Sequence, residues 1–365
     1  MRIALFTGEL SGDLYGFHLL NRIGERLSGN LEALGIGGPK ARRLSFFRSV
    51  ADISELSIMG VVDVFLNLRR LWRLFNRCLS AVQSFSPEVV ILVDSPGFNL
   101  RLAKALRKRG FKGKIIYFIP PTAWIWRSGR AEIIKRYCDF VITLFDFEAD
   151  WYSSRGVKAY FLGHPLLDIL PDGAEMKVEG HFRRPLLACF PGSRRREVEY
   201  HLPIMLEVAR AWKGDVLFSK VKNLPPSLYE GVTNLYEVPS YLLLSSCDYV
   251  LAASGTIAVE ALIYERPAVI IYKANYVNYI LYKILVDAPF ISMPNIMLKE
   301  ELYPELIQGD ASPDKILDRF NRWLNDEEEL MKVKLKMRRL KSRLGERGAI
   351  DRIASVILNE TASFS

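Results

Sequence analysis

Short apolar runs alternate with amphipathic stretches along the first 165 residues. The runs are rich in β-branched residues and lie at 2–7, 88–93, 114–119 and 139–144. Between them, the stretch 98–109 has apolar positions at the three- and four-residue spacing of a helix with one buried face. Strands that alternate with helices are typical of βαβ units and a parallel sheet. We therefore predict a doubly wound α/β domain in this part of the chain.

The same alternation restarts after a polar stretch that contains glycine and proline. The later apolar runs lie at 185–193, 215–220, 247–254 and 266–272. We predict an N-terminal Rossmann-like domain at 1–170, a linker at 171–185, a second Rossmann-like domain at 186–345 and a C-terminal helix at 346–365. Packing of that helix against the first domain is one option. Two doubly wound domains with a cleft between them are the most economical architecture.

The excess of positive charge lies in the N-terminal half of the chain. The net charge is +9, yet residues 1–165 hold 24 Lys and Arg against 14 Asp and Glu, whereas the rest hold 26 against 27. A basic half indicates an anionic partner, such as a phosphorylated substrate, nucleic acid or an anionic lipid surface. Simple solubility is the alternative explanation.

Two motifs follow predicted strands in the first half. GELSGD (8–13) closes the first strand and opens a helix, where glycines allow close approach and main-chain amides are unpaired. A structural turn explains this motif equally well. VDSPGFN (93–99) places Asp94 at the carboxyl end of a central strand, where open α/β sheets bind ligands. Asp94 is a candidate general base, and a helix N-cap is the alternative role.

Two further motifs in the second half predict an anion site. FPGSRRREV (190–198) is a strand, a glycine turn and a helix, in which Arg194 is placed to reach a phosphate and the turn amides are exposed. AASGTIAVE (252–260) puts Ser254, Gly255 and Thr256 at another helix start, with Glu260 one turn further on the same face. A basic surface turn and a capped helix are the structural alternatives.

Neither metal nor disulfide chemistry is indicated. The four cysteines are far apart without CxxC spacing, and the four histidines lack ligand spacing, so we predict no metal and no cofactor. The short apolar run 2–7, followed at once by acidic and glycine residues, is not typical of a signal peptide. No run of 18 apolar residues is present, so we predict no membrane span.

Residues 60–78 are amphipathic, with an apolar and a cationic stripe. The apolar stripe is Val61, Phe65, Leu68, Trp72 and Phe75, and the cationic stripe is Arg69, Arg73 and Arg77. Such a helix can lie on an anionic membrane. A core helix with a solvated face is the alternative.

In their order along the chain, these motifs resemble the lipid-A-disaccharide synthase family, whose members are inverting glycosyltransferases of the GT-B architecture. The matching stretches are GELSGD (8–13), ELSIMGVVDV (55–64), VDSPGFN (93–99), PTAWIWR (121–127), FLGHP (161–165), PGSR (191–194), SGTIAVE (254–260) and SMPNIM (292–297). The resemblance implies transfer of diacylglucosamine from its UDP conjugate to 2,3-diacylglucosamine 1-phosphate (lipid X). It also implies a β-1,6 product, release of UDP and no metal requirement.

The resemblance assigns roles residue by residue. Asp94 matches the family's general base, and Glu9 and Ser11 match N-domain residues of the cleft. The nucleotide side is matched by Arg194, Ser254, Gly255, Thr256, Glu260 and Asn295. The implied partners are the UDP-diacylglucosamine donor, the lipid X acceptor and an anionic membrane surface, with no nucleic acid; a homo-oligomer is kept as an option. We expect a cytoplasmic protein associated peripherally with the inner membrane.

Two other function classes remain open from the sequence. Another GT-B enzyme, a UDP-sugar transferase or epimerase, would keep the UDP site but lack the acyl-binding stripe. A non-catalytic UDP-sugar-binding protein of the membrane surface would have no need of Asp94.

Overall fold

The chain forms two units, each built around its own parallel sheet. The computed structural model describes residues 1–56, 68–172, 176–222, 224–275 and 289–362. Unit 1 consists of Met1–Ile169 and Leu344–Ser365, and unit 2 of Leu170–Arg343. The stretch 171–185, expected to be a linker, is assigned to unit 2.

Unit 1 contains a seven-stranded parallel sheet in the order β3-β2-β1-β4-β5-β6-β7. The strands are β1 (Arg2–Thr7), β2 (Glu32–Gly37), β3 (Phe47–Asp52), β4 (Val89–Val93), β5 (Lys114–Phe118), β6 (Phe140–Thr143) and β7 (Ala159–Phe161). Every residue of β4 is buried, because helices cover both faces of the sheet and the strand can be apolar throughout. The strand order reverses between β1 and β4, so the crevice beyond their carboxyl ends is the position where such sheets bind ligands.

The helices of unit 1 come from both ends of the chain. They are α1 (Leu10–Arg26), α2 (Leu68–Phe85), α3 (Pro96–Lys108), α4 (Arg130–Tyr137), α5 (Asp146–Ser153), α6 (Leu166–Ile169) and the C-terminal α13 (Ala349–Ala362). The Asp168 carboxylate accepts the amides of Gly348 at 2.5 Å and Ile350 at 2.7 Å and so holds the start of α13. Arg26 on α1 pairs with Asp351, which fixes α13 beside α1.

Unit 2 contains a six-stranded parallel sheet in the order β10-β9-β8-β11-β12-β13. Its strands are β8 (Leu187–Phe190), β9 (Val216–Ser219), β10 (Leu235–Tyr236), β11 (Tyr249–Ala253), β12 (Ala268–Tyr272) and β13 (Glu305–Ile307). Its helices are α7 (Arg195–Ala211), α8 (Ser240–Ser246), α9 (Thr256–Ile263), α10 (Met293–Leu298), α11 (Pro313–Asn325) and α12 (Glu327–Ser342). Here the order reverses between β8 and β11. The prediction of two doubly wound, parallel α/β domains is confirmed.

A buried carboxyl group secures the loop that follows β5. Glu148 on α5 is 5% exposed, and its Oε1 accepts a hydrogen bond from Trp124 Nε1 at 3.1 Å. Burial raises the pKa of Glu148 to about 7, although bonds from Trp124 and two backbone amides act in the opposite direction. The ring of Trp124 also meets that of Phe147 edge-on, with centroids 4.9 Å apart. Loop 119–129 is therefore anchored to α5.

We expect Glu148→Gln to abolish a pH dependence of stability. The folded-state pKa of about 7 lies above the ordinary 4.5, so the contribution is complete below pH 4.5 and is lost as the pH rises through 7. Between pH 5 and 8 the free energy of unfolding of the wild type should fall relative to the variant by on the order of 3 kcal/mol. Gln keeps an acceptor for the indole of Trp124. Urea unfolding at both pH values measures the difference.

Glu132→Gln on α4 is the control, because this carboxylate is exposed and should leave the pH dependence as in the wild type. If Glu148→Gln and wild type respond to pH in parallel, the Glu148 carboxyl is not protonated in the folded protein at neutral pH.

Candidate functional site

The turns after β1 and β4 leave the unit 1 sheet side by side. Thr7 and Val93, the last residues of the two strands, are in register. A Cβ atom on Gly8 would lie only 2.1 Å from the Cβ of Ser95, so this crossing accepts glycine alone. A Cβ atom on Gly12 would lie 3.8 Å from that of Asp94. The structure thus brings GELSGD and VDSPGFN together at the reversal point of the sheet.

Asp94 stands on a main chain that is held in an unusual conformation. Asp94 and Ser95 both have positive φ, 56° and 46°. The carbonyl of Asp94 accepts hydrogen bonds from Asn99 Nδ2 at 2.8 Å and from the Tyr117 hydroxyl at 2.7 Å. Left-handed non-glycine residues persist where their surroundings enforce them, commonly at functional sites. These two donors are what enforces the turn at Asp94.

Asp94 does not hold the N-cap position of the helix that follows. Helix α3 begins at Pro96 and its N-cap position is Ser95, whose side chain makes no capping hydrogen bond. Asp94 lies one residue before that position and is partly exposed at the edge of the sheet. The role of Asp94 as a general base therefore stays a prediction.

The other residues of GELSGD divide between the surface and the interior. Glu9 is the exposed N-cap residue of α1, and Ser11 is half-buried in the first turn. Asp13, which was not among the residues predicted from the sequence, is buried. Its carboxylate accepts hydrogen bonds from the amides of Gly38 at 2.7 Å, Lys40 at 2.8 Å and Ala41 at 3.1 Å. Asp13 thereby ties the loop after β2 to α1, and its place in the motif is the signal that could have found it.

In unit 2, the motifs after β8 and β11 line one pocket. Phe190 at the end of β8 is in register with Ala252 of β11. The pocket has a volume of about 230 Å³, and its lining includes Ser193, Glu197, Ser254, Thr256 and Glu260. The structure therefore brings together the glycine turn, the 254–256 turn and Glu260 at the reversal point of the second sheet.

A carboxylate already occupies the amides of the first of these turns. Glu197 Oε2 accepts the amides of Ser193 at 2.8 Å and Arg194 at 3.2 Å, and its Oε1 pairs with Arg194 Nη1 at 3.1 Å. Gly192, at φ 126°, makes room for it, since a Cβ atom there would lie 2.4 Å from Glu197 Cβ. The Ser193 amide, expected to be exposed, is thus satisfied by Glu197. Glu197 was not among the residues predicted from the sequence, and its position in the first turn of α7 was the available signal.

The second turn and Glu260 are fixed by different contacts. The Ser254 hydroxyl donates to the carbonyl of Ile291 at 3.1 Å. Thr256 is the first residue of α9, and Gly255 before it is exposed and extended. Ser240 donates to Glu260, whose pKa is raised by burial.

The structure does not bring Asn295 to the pocket. Its side chain is fully buried, and its Nδ2 donates to the Tyr303 carbonyl at 2.7 Å and to Glu305 at 2.8 Å. Its Oδ1 accepts the amides of Leu302 and Tyr303, both at 2.9 Å. The protein thus uses all four bonding positions of this amide. Asn295 holds the segment that follows Ile291. The carbonyl of Ile291 in turn accepts a hydrogen bond from the Ser254 hydroxyl.

Helix α2 carries only part of the predicted amphipathic surface. Val61 and Phe65 lie outside the described residues, as does the side chain of Leu68. Trp72 is 68% exposed, whereas Phe75 is half-buried and meets Phe98 edge-on at 5.7 Å. The expected single apolar stripe is therefore divided between solvent and core.

The arginines of α2 differ from one another in their partners. Arg77 forms an ion pair with Glu55 at 2.9 Å. Arg69 and Arg73 are exposed and have no ion pair with any residue that the structure describes, although Arg73 Nε donates to the carbonyl of Arg69 at 3.4 Å.

His164, candidate metal ligands and candidate membrane spans complete the description of the functional residues. His164 is fully buried, its Nδ1 accepts the Leu166 amide at 3.2 Å, and burial lowers its pKa to about 3, so the ring is neutral. Across the described ranges, no three His, Cys, Asp or Glu side chains form a group that could hold a metal ion. In the same ranges, no helix has the length and apolar character needed to cross a membrane.

Comparison with solved structures relates the fold to enzymes of nucleotide sugars. UGT89C1 of Arabidopsis thaliana, solved with UDP, superposes with a TM-score of 0.66 at 12% identity and covers 98% of this chain and 99% of its own. UDP-GlcNAc 2-epimerase from Neisseria meningitidis, solved with UDP-GlcNAc, gives a TM-score of 0.62 at 12% identity and covers 98% and 100%. At these identities the likeness establishes the fold alone.

Sequence comparison is more specific. A family profile described as Lipid-A-disaccharide synthetase matches residues 3–357. The lipid-A-disaccharide synthase of Geobacter sulfurreducens is 34% identical over 98% of this chain and 96% of its own length. Lipid-A-disaccharide synthase 2 of Legionella pneumophila (strain Paris) is 33% identical over 87% of this chain and 86% of its own. The resemblance seen in the motifs is confirmed: this chain belongs to the lipid-A-disaccharide synthase family.

Proposed function

We propose that this protein transfers 2,3-diacylglucosamine from its UDP conjugate to the 6-hydroxyl of lipid X. The products are the β-1,6-linked disaccharide 1-phosphate and UDP. Beside the family membership, one structural observation carries the proposal. All four chemistry-bearing motifs follow strands at the reversal point of their sheet, β1 and β4 in unit 1 and β8 and β11 in unit 2. That edge is where open α/β sheets bind their ligands.

Unit 2 would hold the donor. The pocket between the 192–193 and 254–256 turns offers the start of α9 and a carboxylate, Glu260, that can accept hydrogen bonds from ribose hydroxyls. Arg194 would bind the diphosphate after exchanging its partner Glu197 for phosphate oxygens. Neutralising the charge that develops on UDP makes it an adequate leaving group.

Unit 1 would activate the acceptor through Asp94. Because the donor is α-linked and the product β-linked, the acceptor hydroxyl attacks from the face opposite UDP. Its proton passes to Asp94, the new glycosidic bond forms as the bond to UDP breaks, and the transition state is oxocarbenium-like. The partial exposure of Asp94 at the sheet edge allows a hydroxyl to approach it.

The function itself is tested by product analysis. We expect purified protein with UDP-2,3-diacylglucosamine and lipid X to yield a disaccharide 1-phosphate by mass spectrometry, with UDP release that requires lipid X. An epimerase would convert the UDP-sugar without any acceptor, and a binding protein would release no UDP. Either result would overturn the proposal.

Acyl chains require an apolar, membrane-facing surface, and α2 is our candidate for it. An exposed indole, Trp72, lies on the same helix as two exposed arginines, Arg69 and Arg73. Indole at the headgroup level and arginine on anionic lipid are the usual elements of peripheral binding. The protein would then act at the membrane surface where both of its lipid substrates reside.

Arg194→Ala should weaken UDP binding by about tenfold or more, because a charge-assisted hydrogen bond to phosphate contributes about 1.5–3 kcal/mol. Isothermal titration calorimetry with UDP measures the change. Arg195→Ala is the matched control, since Arg195 is exposed and paired with Glu199 at 2.7 Å. Equal UDP affinity of Arg194→Ala and wild type would remove Arg194 from the nucleotide site.

Asp94→Asn should reduce turnover by about a hundred- to ten-thousand-fold, since it keeps the shape of the side chain but removes the base. UDP affinity should not change, because the nucleotide motifs lie in unit 2. Asp146→Asn, at the start of α5 beyond another strand of the same sheet, is the control and should retain activity. Near-wild-type turnover of a folded Asp94→Asn protein would assign Asp94 to the local structure of the turn instead.

The double variant Arg69→Glu with Arg73→Glu reverses the charge of α2. It should bind phosphatidylglycerol-containing vesicles about tenfold or more weakly, because each cation near the surface contributes about 1 kcal/mol to binding. Flotation at several salt concentrations measures it, and the wild-type binding should weaken as salt rises. Lys104→Glu with Lys108→Glu on α3 makes the same change in charge at the same spacing on exposed positions. Similar losses in both double variants would indicate a general charge effect without a specific role for α2.

A further inference from the structure

Two arginines that have no acidic partner among the described residues share one indole, where the loop after β5 meets the start of α4. The guanidinium carbon of Arg127 lies 4.2 Å from the Trp126 ring centroid, and that of Arg130 lies 5.2 Å from it. Neither arginine forms an ion pair with a residue in the part of the chain that the structure describes. Cation–π contact orients both cations but leaves their hydrogen-bond donors available.

This arrangement is electrostatically costly. Arg130 is half-buried, and its pKa is lowered first by burial and then by the charge of Arg127. Arg107 in the same unit is also partly buried and stacked, over Phe111 at 5.8 Å, but it is paired with Asp139. Arg127 is exposed, so solvent screens part of the repulsion between the two cations, and an anion that binds both guanidinium groups would offset the rest.

The arginine pair lies at the same edge of the sheet as Asp94. Val93 and Phe118, the last residues of β4 and β5, are in register. Tyr117 on β5 donates a hydrogen bond to the Asp94 carbonyl at 2.7 Å, which ties the turn at Asp94 to the strand that precedes the arginine segment. The turn at Asp94 and the segment that carries the two arginines therefore follow neighbouring strands at the same edge of the sheet.

Two contacts hold the loop in place before any ligand arrives. Trp124 is fixed by Glu148, as described above, and the Tyr152 hydroxyl donates to the carbonyl of Pro121 at 2.5 Å. Arg130 is also the first residue of the eight-residue helix α4, so the positive end of that helix adds to the two guanidinium charges. A prearranged cationic site loses little conformational entropy on binding an anion.

We propose that Arg127 and Arg130, oriented by Trp126, bind the phosphate of the acceptor. This assignment rests on the proposed function, in which lipid X carries its phosphate and its attacking hydroxyl at opposite ends of one sugar ring. The arginines take the phosphate by bidentate hydrogen bonds, and Asp94, one strand away, receives the proton of the hydroxyl. The pair thus selects a phosphorylated acceptor and sets which hydroxyl reaches Asp94.

The test compares two acceptors, lipid X and 2,3-diacylglucosamine without phosphate, in neutral detergent micelles so that no anionic lipid competes. Each of Arg127→Gln and Arg130→Gln should raise the KM for lipid X about tenfold, because each removes a charged hydrogen bond that contributes about 1.5 kcal/mol to binding. The double variant should raise it about a hundredfold. The kcat/KM for the phosphate-free acceptor and the KM for the UDP-sugar should stay at wild-type values.

Arg136→Gln is the matched control. Arg136 is exposed on the same helix and lies over the Tyr137 ring at 5.6 Å, so it reproduces the loss of a stacked arginine away from the loop. Arg130→Lys serves as the second variant, because it keeps the buried charge and loses only the guanidinium fork. Its KM for lipid X should fall between those of wild type and Arg130→Gln.

The inference is overturned if the variants lose activity equally with both acceptors, since the arginines would then act only on structure. It is also overturned if the KM for lipid X does not change, or if only vesicle binding responds, which would make phospholipid the anion bound. A wild type that forms no disaccharide from lipid X overturns the proposed function itself, and this outcome is distinct from the others.

Discussion

Main-chain pairing of parallel strands at the reversal points of the two sheets is the constraint on which the rest of the structure depends. In unit 1, the pairing of β1 with β4 brings together the turns that follow Thr7 and Val93, which are 86 residues apart in sequence (93 − 7). In unit 2, the pairing of β8 with β11 does the same for the turns that follow Phe190 and Ala253, which are 63 residues apart (253 − 190). Hydrogen-bonded strands lie about 4.8 Å apart, so the turns that leave them must pass each other closely. Gly8 against Ser95 is a point where this closeness excludes any side chain, whereas Gly192 makes room for Glu197 from the helix that follows the same turn.

Carboxylates hold the turns of this fold by accepting main-chain amides. Asp13 does so for the loop after β2, Asp168 for the start of α13, and Glu197 for the turn after β8. The first two are structural anchors, whereas Glu197 lies in a pocket where a diphosphate would seek the same amides and the same arginine. Donor binding in the proposed reaction is then an exchange of one anion for another, so the affinity for UDP is a difference between two similar interactions.

Sequence patterns located the buried strands and the motifs at their ends, because both depend on local composition. The β4 run predicted at 88–93 forms at Val89–Val93, since an unbroken apolar run must be buried on both faces. β2 (EALGIG) was not predicted, because glycine interrupts its apolar pattern and pairing with β1 and β3 decides its structure. The roles of residues that depend on contacts with other parts of the chain could not be predicted from the sequence either. Asn295 matches a motif position, yet its amide is consumed by residues up to ten positions away, and Glu197 acts by folding back onto the preceding turn.

The charge of the first half also shows why composition alone does not identify a binding surface. Much of it is neutralised internally, and α13 contributes Asp351 and Glu360, which pair with Arg26 and Lys158 from the basic half. Exposed lysines such as Lys104 and Lys108 remain fully hydrated, so they serve solubility at little cost. An arginine stacked on an indole and left without an acid is different, because part of its hydration is lost and nothing in the described chain replaces it. Arg130 against Trp126 meets that condition. Within the described chain, this missing counter-charge supports the proposed anionic acceptor more directly than the excess of basic residues does.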